Sequence, residues 1–178
     1  MEPTGLDTGV YRRGRIEALE GRYAWGRAQG PDASSCAQDS VAALMLGETL
    51  ADWRVWDASR ALDYLQSRTD CADAARLAAL GISGGGLAAL WTAAWDTRVR
   101  ACLVSAYFNT LAASILSIDH CVDNYVPGLL RLAEMPDRAA LVPPRALFVE
   151  SGRADPIFLF AAFEQAATQA RDIHNISQ

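Results

Sequence analysis

Residues 77–90 have the sequence LAALGISGGGLAAL, and the fold predicted for the chain depends mainly on this stretch. An apolar run, a group of glycines and an alanine- and leucine-rich segment predict a strand, a tight turn and a helix. The turn, Gly81-Ile82-Ser83-Gly84-Gly85, fits the pattern G-x-S-x-G, which in this setting is typical of a nucleophile elbow with Ser83 as the nucleophile. Glycines two residues before and after the serine are expected to permit close backbone approach. The Gly84 N–H, at the helix N-terminus, is expected to donate to an oxyanion.

Two other interpretations of these glycines stay open. In the first, the turn serves only the close packing of a helix on a strand. In the second, Gly84 to Ala89 fits G-x-G-x-x-A, the fingerprint of a nucleotide-binding α/β domain. That fingerprint requires an acidic residue at the end of the next strand. The next predicted strand ends with SAYF at 105–108, which offers none, so the pattern favours the nucleophile.

Strands and helices alternate along the rest of the chain. Two further apolar runs predict strands at 99–108 and 145–150. Helical patterns occur at 48–67, 87–95, 110–118, 129–133, 136–141 and 156–173. Because the strands are apolar throughout, the alternation predicts an α/β fold with a parallel sheet buried on both faces. Residues 1–35 are predicted to be irregular, and residues 36–178 to form the α/β domain.

The composition excludes several classes of protein. The chain has 178 residues, of which 51% are hydrophobic and 21% charged, as expected of a globular domain. No apolar run approaches the ~20 residues of a membrane span, and residues 1–10 lack an apolar leader, which predicts a cytoplasmic protein. The net charge of -5 argues against a nucleic-acid partner. All 16 basic residues are arginines, which excludes Schiff-base chemistry and a P-loop lysine.

The cysteines and histidines argue against a metal site. Four cysteines, at positions 36, 71, 102 and 121, form no C-x-x-C pair, and only two histidines are present. Cys102 lies in an apolar run and is predicted to be a small buried residue. With no secretory leader, the cysteines are expected to be reduced thiols. The sequence thus predicts neither a metal nor a cofactor.

A nucleophilic serine requires an orienting acid and a base, which in this architecture follow in the order serine, acid, histidine. Asp155 is the predicted acid, because it follows the strand at 145–150 and a glycine turn and precedes a helix. Asp155 followed by Pro156 is also a common helix N-cap, and the two roles are compatible. Glu150, at the end of the strand, is the second choice for the acid.

Neither histidine stands where this order places the base. His174 follows Asp155 by 19 residues and lies at the end of the last predicted helix, where an exposed positive charge suits the helix dipole. His120 precedes Asp155 and is interpreted first as an ordinary polar loop residue. Because the order of a triad differs among folds, both histidines are retained as candidate bases.

Several longer segments resemble the α/β-hydrolase superfamily over about residues 34–165. They are SCAQDS at 35–40, LGET at 46–49, WRVWD at 53–57, RALDY at 60–64, GISGGG at 81–86, SIDHCVDNYVPGLL at 117–130, PRALFVESG at 144–152 and DPIF at 155–158. The sequence looks closest to the acetyl xylan esterase and dienelactone-hydrolase-like branch of serine esterases. The resemblance implies an eight-stranded, mostly parallel sheet, Ser83 as nucleophile and Asp155 as acid. It also implies cofactor-free hydrolysis of small-molecule carboxylic esters with acetyl-type acyl groups.

The expected fold is an incomplete version of that architecture. The superfamily has several strands before the elbow and one more strand, followed by the triad histidine, after the acid. Neither part has a counterpart here, so the predicted sheet lacks the early strands and the last strand. A non-catalytic α/β-hydrolase-like binding module is therefore the alternative function.

Overall fold

The computed structural model describes residues 35–176, so nearly all of the segment predicted to be irregular lies outside the described residues. The described residues contain five α-helices: α1 (Ser35–Met45), α2 (Leu50–Ser67), α3 (Gly84–Trp95), α4 (Met135–Ala139) and α5 (Phe160–Ile176). Three strands alternate with the later helices: β1 (Ala78–Ile82), β2 (Ala101–Ser105) and β3 (Ala146–Glu150). The predicted alternation of strands and helices is therefore confirmed.

The described residues form two compact units. The first comprises residues 35–60 and 121–126, and the second comprises residues 61–120 and 127–176. The predicted division into an irregular segment at 1–35 and a domain at 36–178 stays a prediction. Within residues 35–176, no helix combines the length and the apolar character that a membrane crossing requires.

The sheet of the second unit is parallel, with the strand order β1-β2-β3. Ile82 pairs with Ser105, and Ser105 pairs with Glu150, so the three strands end side by side. We call this border, from which the turns after residues 82, 105 and 150 leave, the carboxyl edge. In open α/β sheets the carboxyl edge is where ligands bind.

Helix α3 packs against β1 and β2 on one face of the sheet. The apolar residues on its sheet-facing side are buried, among them Leu87 and Leu90, which are 1% and 0% exposed, whereas Trp95 at its end is 79% exposed. On the facing strand, Cys102 and Val104 are 3% and 0% exposed. Burial raises the pKa of the Cys102 thiol to about 11, so this cysteine is neutral at ordinary pH and packs as a small apolar residue, as predicted.

The opposite face of the sheet is open in the described part of the chain. Leu80 and Phe148, which flank Leu103 in the register, are 69% and 57% exposed, and Ile82 is 65% exposed. The prediction of a sheet buried on both faces is thus wrong for these residues. Apolar strands indicate that both faces favour burial, but α3 covers only one face and α5 packs against α4.

Two predicted helices have different bounds in the structure. Residues 111–117 form consecutive turns rather than a helix, because Ser114 and Ser117 side chains bond the backbone carbonyls of Thr110 and Ala113. The last helix begins at Phe160 instead of residue 156, after a bend at residues 156–158. The remaining predicted elements agree with the structure to within a few residues.

Arg145 secures the end of α3 that is remote from the carboxyl edge. Its Nη1 donates to the carbonyl oxygens of Ala93, Asp96 and Val99, at 2.6, 3.1 and 3.0 Å. A guanidinium at a helix C-terminus satisfies carbonyls that lack partners in the helix and is stabilised by its dipole. This anchoring fixes the position of α3 against the sheet, and with it the turn at the other end of the helix.

Candidate active site

Ser83 lies at the tip of the turn between β1 and α3, at the carboxyl edge. Its φ of 53° and ψ of -122° lie in a region that side-chain-bearing residues rarely adopt, at a cost of about 1–3 kcal/mol. The Ser83 N–H donates to the Ser105 carbonyl at 2.9 Å, while its own carbonyl accepts from the Gly86 N–H at 2.8 Å. The backbone is therefore held from both sides, and the exposed side chain projects from a fixed point.

Gly81 and Gly86 are the glycines that this turn requires. A Cβ on Gly81 would lie 1.9 Å from the Gly85 carbonyl oxygen, which is far inside contact distance. A Cβ on Gly86 would lie 2.8 Å from the Tyr107 Cβ and 3.1 Å from the Val104 Cγ1. The expected need for glycine two residues before the serine is thus confirmed.

The corresponding expectation for Gly85, two residues after the serine, is wrong. A Cβ at this position meets no heavy atom within 4 Å. Gly81 approaches the backbone of Gly85, whereas a Cβ added to Gly85 would point into open space. The spacing of the motif identified the close approach, but it could not show on which side of the contact a side chain would be tolerated.

The Gly84 N–H begins α3 and has no acceptor within the helix, since the first N–H groups of any helix lack intrahelical partners. The positive end of the helix dipole is located here, next to the Ser83 side chain. Such an N–H can donate to an oxygen that becomes negatively charged during an attack by the serine hydroxyl. The geometry is thus suited to the predicted oxyanion role of Gly84.

Asp155 lies in the loop after β3, on the same edge of the sheet. Its Oδ1 accepts the N–H groups of Ile157 and Phe158, at 2.8 and 3.0 Å. The predicted N-cap role is wrong in detail, because these bonds cap the bend at 156–158 and α5 begins only at Phe160. The side chain is half-buried, and its position is set by the loop rather than by the helix.

Glu150, the second choice for the acid, is the last residue of β3 and has an exposed side chain. Its register places it in line with Ile82 and Ser105, on the open face of the sheet. Its backbone carbonyl accepts the Ala106 N–H at 3.0 Å. The structure therefore shows a backbone contact of Glu150 at the edge, and its place as the second choice for the acid stays a prediction.

His120 lies beside the loop that Asp155 caps. Its ring meets the ring of Phe158 edge-on, with the centroids 5.9 Å apart. Phe158 is 2% exposed and also contacts the ring of Tyr107, which follows β2. Sequence order alone argued against His120, yet the fold brings it to the loop that carries the predicted acid.

The other candidate base, His174, belongs to the last turn of α5, as predicted, and its side chain lies outside the described residues. Among the described side chains, the only imidazole is that of His120, and the Ser83 hydroxyl forms no hydrogen bond with it. The same residues contain no cluster of three or more histidine, cysteine or acidic side chains suited to a metal ion. The described edge therefore combines a serine, a helix N-terminus, a carboxylate and one nearby imidazole.

Ala106 is a feature of the edge that the sequence did not predict. Its φ of 47° is the only positive value besides that of Ser83 among the described residues that carry a side chain. It follows β2 directly, as Ser83 follows β1, so two neighbouring strands end in a strained residue. Strained backbone is concentrated at functional sites, and an alanine carries no sequence signal for it.

Comparisons with known proteins agree with this geometry. The model of the prolyl oligopeptidase family, a family of peptidases with an α/β-hydrolase domain, matches residues 45–125. The putative hydrolase YtaP of Bacillus subtilis (strain 168) is 34% identical over 105 residues. The glucuronoyl esterase from Solibacter usitatus superposes with a TM-score of 0.56 at 26% identity over 71% of this chain. The described part of the chain has a partial α/β-hydrolase fold.

The chain spans about a third of the length of these relatives, 35% of YtaP and 36% of the Solibacter esterase. A promiscuous CE15 esterase from a marine bacterial metagenome shares the fold at 22% identity, with a TM-score of 0.56 over 71% of this chain and 36% of that one. The predicted fold class is thus confirmed. None of these relatives is named as an acetyl xylan esterase or a dienelactone hydrolase, so that branch stays a prediction.

Proposed function

We propose that the protein is a serine hydrolase of carboxylic esters, with Ser83 as its nucleophile. The observation that carries the proposal is the strained, exposed Ser83 between β1 and α3, whose positive φ aims the side chain out of the sheet. The similarity to a glucuronoyl esterase and to a putative hydrolase supports the reaction class. Small-molecule esters with acetyl-type acyl groups are the proposed substrates, and a cytoplasmic location stays part of the prediction.

In the proposed reaction, the Ser83 Oγ attacks the acyl carbon of the ester while a base removes its proton. The carbonyl oxygen becomes negatively charged and accepts a hydrogen bond from the Gly84 N–H. The tetrahedral intermediate collapses, the alcohol leaves with a proton from the base, and an acyl-serine remains. Water then attacks the acyl-serine by the reverse sequence of proton transfers, which releases the carboxylic acid and restores Ser83.

Asp155 is the proposed orienting acid. Since Oδ1 is committed to the N–H groups of Ile157 and Phe158, Oδ2 is the oxygen that would accept from an imidazole. His120 is one candidate for that imidazole because of its contact with Phe158 in the same loop. His174 is the other candidate in this sequence. An His120→Gln variant whose rate stays at the wild-type level would remove His120 from the mechanism.

Hydrolysis of p-nitrophenyl acetate tests the nucleophile. Ser83→Ala is expected to lower the rate by at least about 10³-fold, because it removes the attacking oxygen. Ser67→Ala is the matched control, since Ser67 is an exposed serine at the end of α2 whose hydroxyl bonds the Tyr64 carbonyl, and it should leave the rate unchanged. Equal rates for the wild type and Ser83→Ala would disprove the role of Ser83.

Covalent labelling distinguishes catalysis from the alternative of a non-catalytic binding module. A fluorophosphonate probe is expected to modify the wild-type protein at Ser83 and to leave Ser83→Ala unmodified. A folded wild-type protein that is not labelled would favour the binding module. Circular dichroism of both proteins provides the check that folding is equal.

Glucuronoyl esters are a second candidate substrate class, favoured by the 26% identity to the Solibacter esterase. The benzyl ester of glucuronic acid and p-nitrophenyl acetate can be compared on the same preparation. A preference for the acetate would support the acetyl-type branch, whereas a preference for the uronate would assign the chain to the glucuronoyl type.

A further inference from the structure

Asn109 is a buried polar residue to which the proposed reaction assigns no role. It lies in residues 106–110, which directly follow β2 and which we call the β2 connection, and it is 0% exposed. Its Nδ2 donates to the Leu159 carbonyl at 3.0 Å, and its Oδ1 accepts the Thr110 N–H at 2.9 Å. Its backbone N–H donates to the Met135 Sδ at 3.2 Å. Both ends of the buried amide thus bond the backbone, which offsets the cost of removing the amide from water.

The Leu159 carbonyl stands where the loop with the proposed acid ends. We call residues 151–159, between β3 and α5, the acid loop, because they contain Asp155. The Leu159 carbonyl also accepts the N–H groups of Ala162 and Phe163, at 3.1 and 3.0 Å, at the start of α5. The bond from Asn109 therefore fixes the end of the acid loop to the β2 connection.

Two other contacts hold the acid loop. The Ser151 Oγ donates to the Phe158 carbonyl at 3.2 Å, which closes the loop across its base. Tyr107, also in the β2 connection, packs against Phe158 with the ring centroids 5.6 Å apart. Asn109 adds a directional contact to this apolar one, because a hydrogen bond restricts the angle as well as the distance between its partners.

The β2 connection is bonded to the nucleophile turn as well. The carbonyl of Ser105, directly before the connection, accepts the Ser83 N–H at 2.9 Å. The strained Ala106 comes next, and its N–H donates to the carbonyl at the end of β3 at 3.0 Å. The stretch from Ser105 to Asn109 therefore contacts the turn that carries the nucleophile and the loop that carries Asp155. The position of one relative to the other depends on this stretch.

We propose that Asn109 is a positioning residue for the serine hydrolase reaction. Its bond to the Leu159 carbonyl holds the acid loop where Asp155 can orient the base. This role rests on the proposed function, because Asn109 is buried and acts only through the acid. A displacement of about 1 Å at a catalytic group can lower a rate by about 10²-fold, so the loss of one buried hydrogen bond has a measurable effect.

Asn109→Leu tests the proposal, because leucine has a similar volume and forms neither side-chain hydrogen bond. The kcat for p-nitrophenyl acetate should fall about 10–100-fold, with KM within about twofold of the wild type, since the acid is misplaced and ester binding is not. Amide hydrogen exchange, measured by NMR, reports the loop itself. The N–H groups of Ile157 and Phe158, which Asp155 caps, should exchange about tenfold faster.

Two further variants provide the controls. Asn109→Ser retains a polar side chain next to the Thr110 N–H but is too short to reach the Leu159 carbonyl, so it should lose kcat in the same way. Ser114→Ala is the matched control, because Ser114 is also 0% exposed and its hydroxyl donates to the Thr110 carbonyl at 2.7 Å rather than to the acid loop. It should lower the melting temperature and leave kcat and the exchange at 157–158 unchanged.

Wild-type kcat in a folded Asn109→Leu or Asn109→Ser protein, or unchanged exchange at 157–158, would overturn the proposal. An equal loss of kcat in Ser114→Ala would do so too, since it would indicate a general loosening of the core. If neither Asn109 variant folds, Asn109 serves the core instead of the loop, and the proposal is wrong. A wild type that hydrolyses no ester would disprove the proposed function, whereas faster exchange in the Asn109 variants would still support the contact with the acid loop.

Discussion

Two connections at the carboxyl edge, the turn after β1 and the loop after β3, carry the proposed nucleophile and the proposed acid, and they are stabilised in opposite ways. The turn is set by missing side chains, because Gly81 and Gly86 leave room that a Cβ would occupy. The loop is set by a side chain that is present, because the Asp155 carboxylate bonds two backbone N–H groups. A new Cβ is expected to be tolerated least where it meets backbone atoms, whereas the cap should tolerate any side chain that supplies the same acceptor. The difference predicts a graded set of mutational effects.

The largest effect is expected for Gly81→Ala. The new Cβ would stand 1.9 Å from the Gly85 carbonyl oxygen, a backbone atom that cannot move without displacing the start of α3. We expect a loss of about 3–5 kcal/mol in the free energy of unfolding, or failure to fold. Urea unfolding monitored by circular dichroism measures it. A variant as stable as the wild type would show that the turn is not fixed by this contact.

Gly86→Ala should have an intermediate effect of about 1–3 kcal/mol on unfolding. Its Cβ would press on side-chain atoms of Val104, in β2, and of Tyr107, which follows β2. Part of the strain can therefore be relieved by a small shift of α3. The same urea titration applies. If Gly86→Ala proves more destabilising than Gly81→Ala, the sheet–helix contact and not the turn is the rigid element.

Asp155 variants separate the cap from the proposed catalytic role. Asp155→Ala should lower the free energy of unfolding by about 1–2 kcal/mol, because the Ile157 and Phe158 N–H groups lose their acceptor. Asp155→Asn retains an acceptor oxygen and should be close to the wild type in stability. Both variants should lose esterase activity if the charge orients the base. An active Asp155→Asn protein would leave only the cap role.

The smallest effect, and one of opposite sign, is expected for Gly85→Ala. No atom lies within 4 Å of the new Cβ, and alanine is favoured over glycine in a helix, so stability should rise by about 0.5 kcal/mol. Thermal unfolding by calorimetry can resolve a change of this size. A clear destabilisation would mean that the elbow needs glycine on both sides of the serine after all.

Predictions from the sequence were most accurate where the relevant contacts are local. The stretch at 77–90 specified strand, turn and helix, because apolar periodicity and glycine content act over a few residues. The predicted helix at 110–118 was wrong, since serine and threonine side chains there compete for the backbone. The start of the last helix was misplaced for a related reason, because Asp155 caps a bend at 156–158 instead.

For the candidate site as well, residues in local patterns could be predicted, whereas contacts made by the fold could not. Ser83 and Gly84 were identified from a motif of five residues, and Asp155 from its place after a strand and a glycine turn. Sequence spacing gave no reason to place His120 near Asp155, because they are brought together only through the ring of Phe158 in the folded loop. The backbone strain at Ala106 could not be predicted from the sequence either, since alanine has no preference for a positive φ.

By itself, the sequence determined that this chain has a parallel α/β core and a serine at a strand-to-helix turn. Those features follow from hydrophobic periodicity and from glycine, whose effects are confined to neighbouring residues. Only the tertiary structure decided that Gly81 and Gly86, and not Gly85, are indispensable, and that one sheet face is open. It also decided that Arg54 contacts both Cys36 and Asp123, which are far apart in the chain. These features depend on contacts between residues far apart in the chain, which spacing along the sequence does not encode.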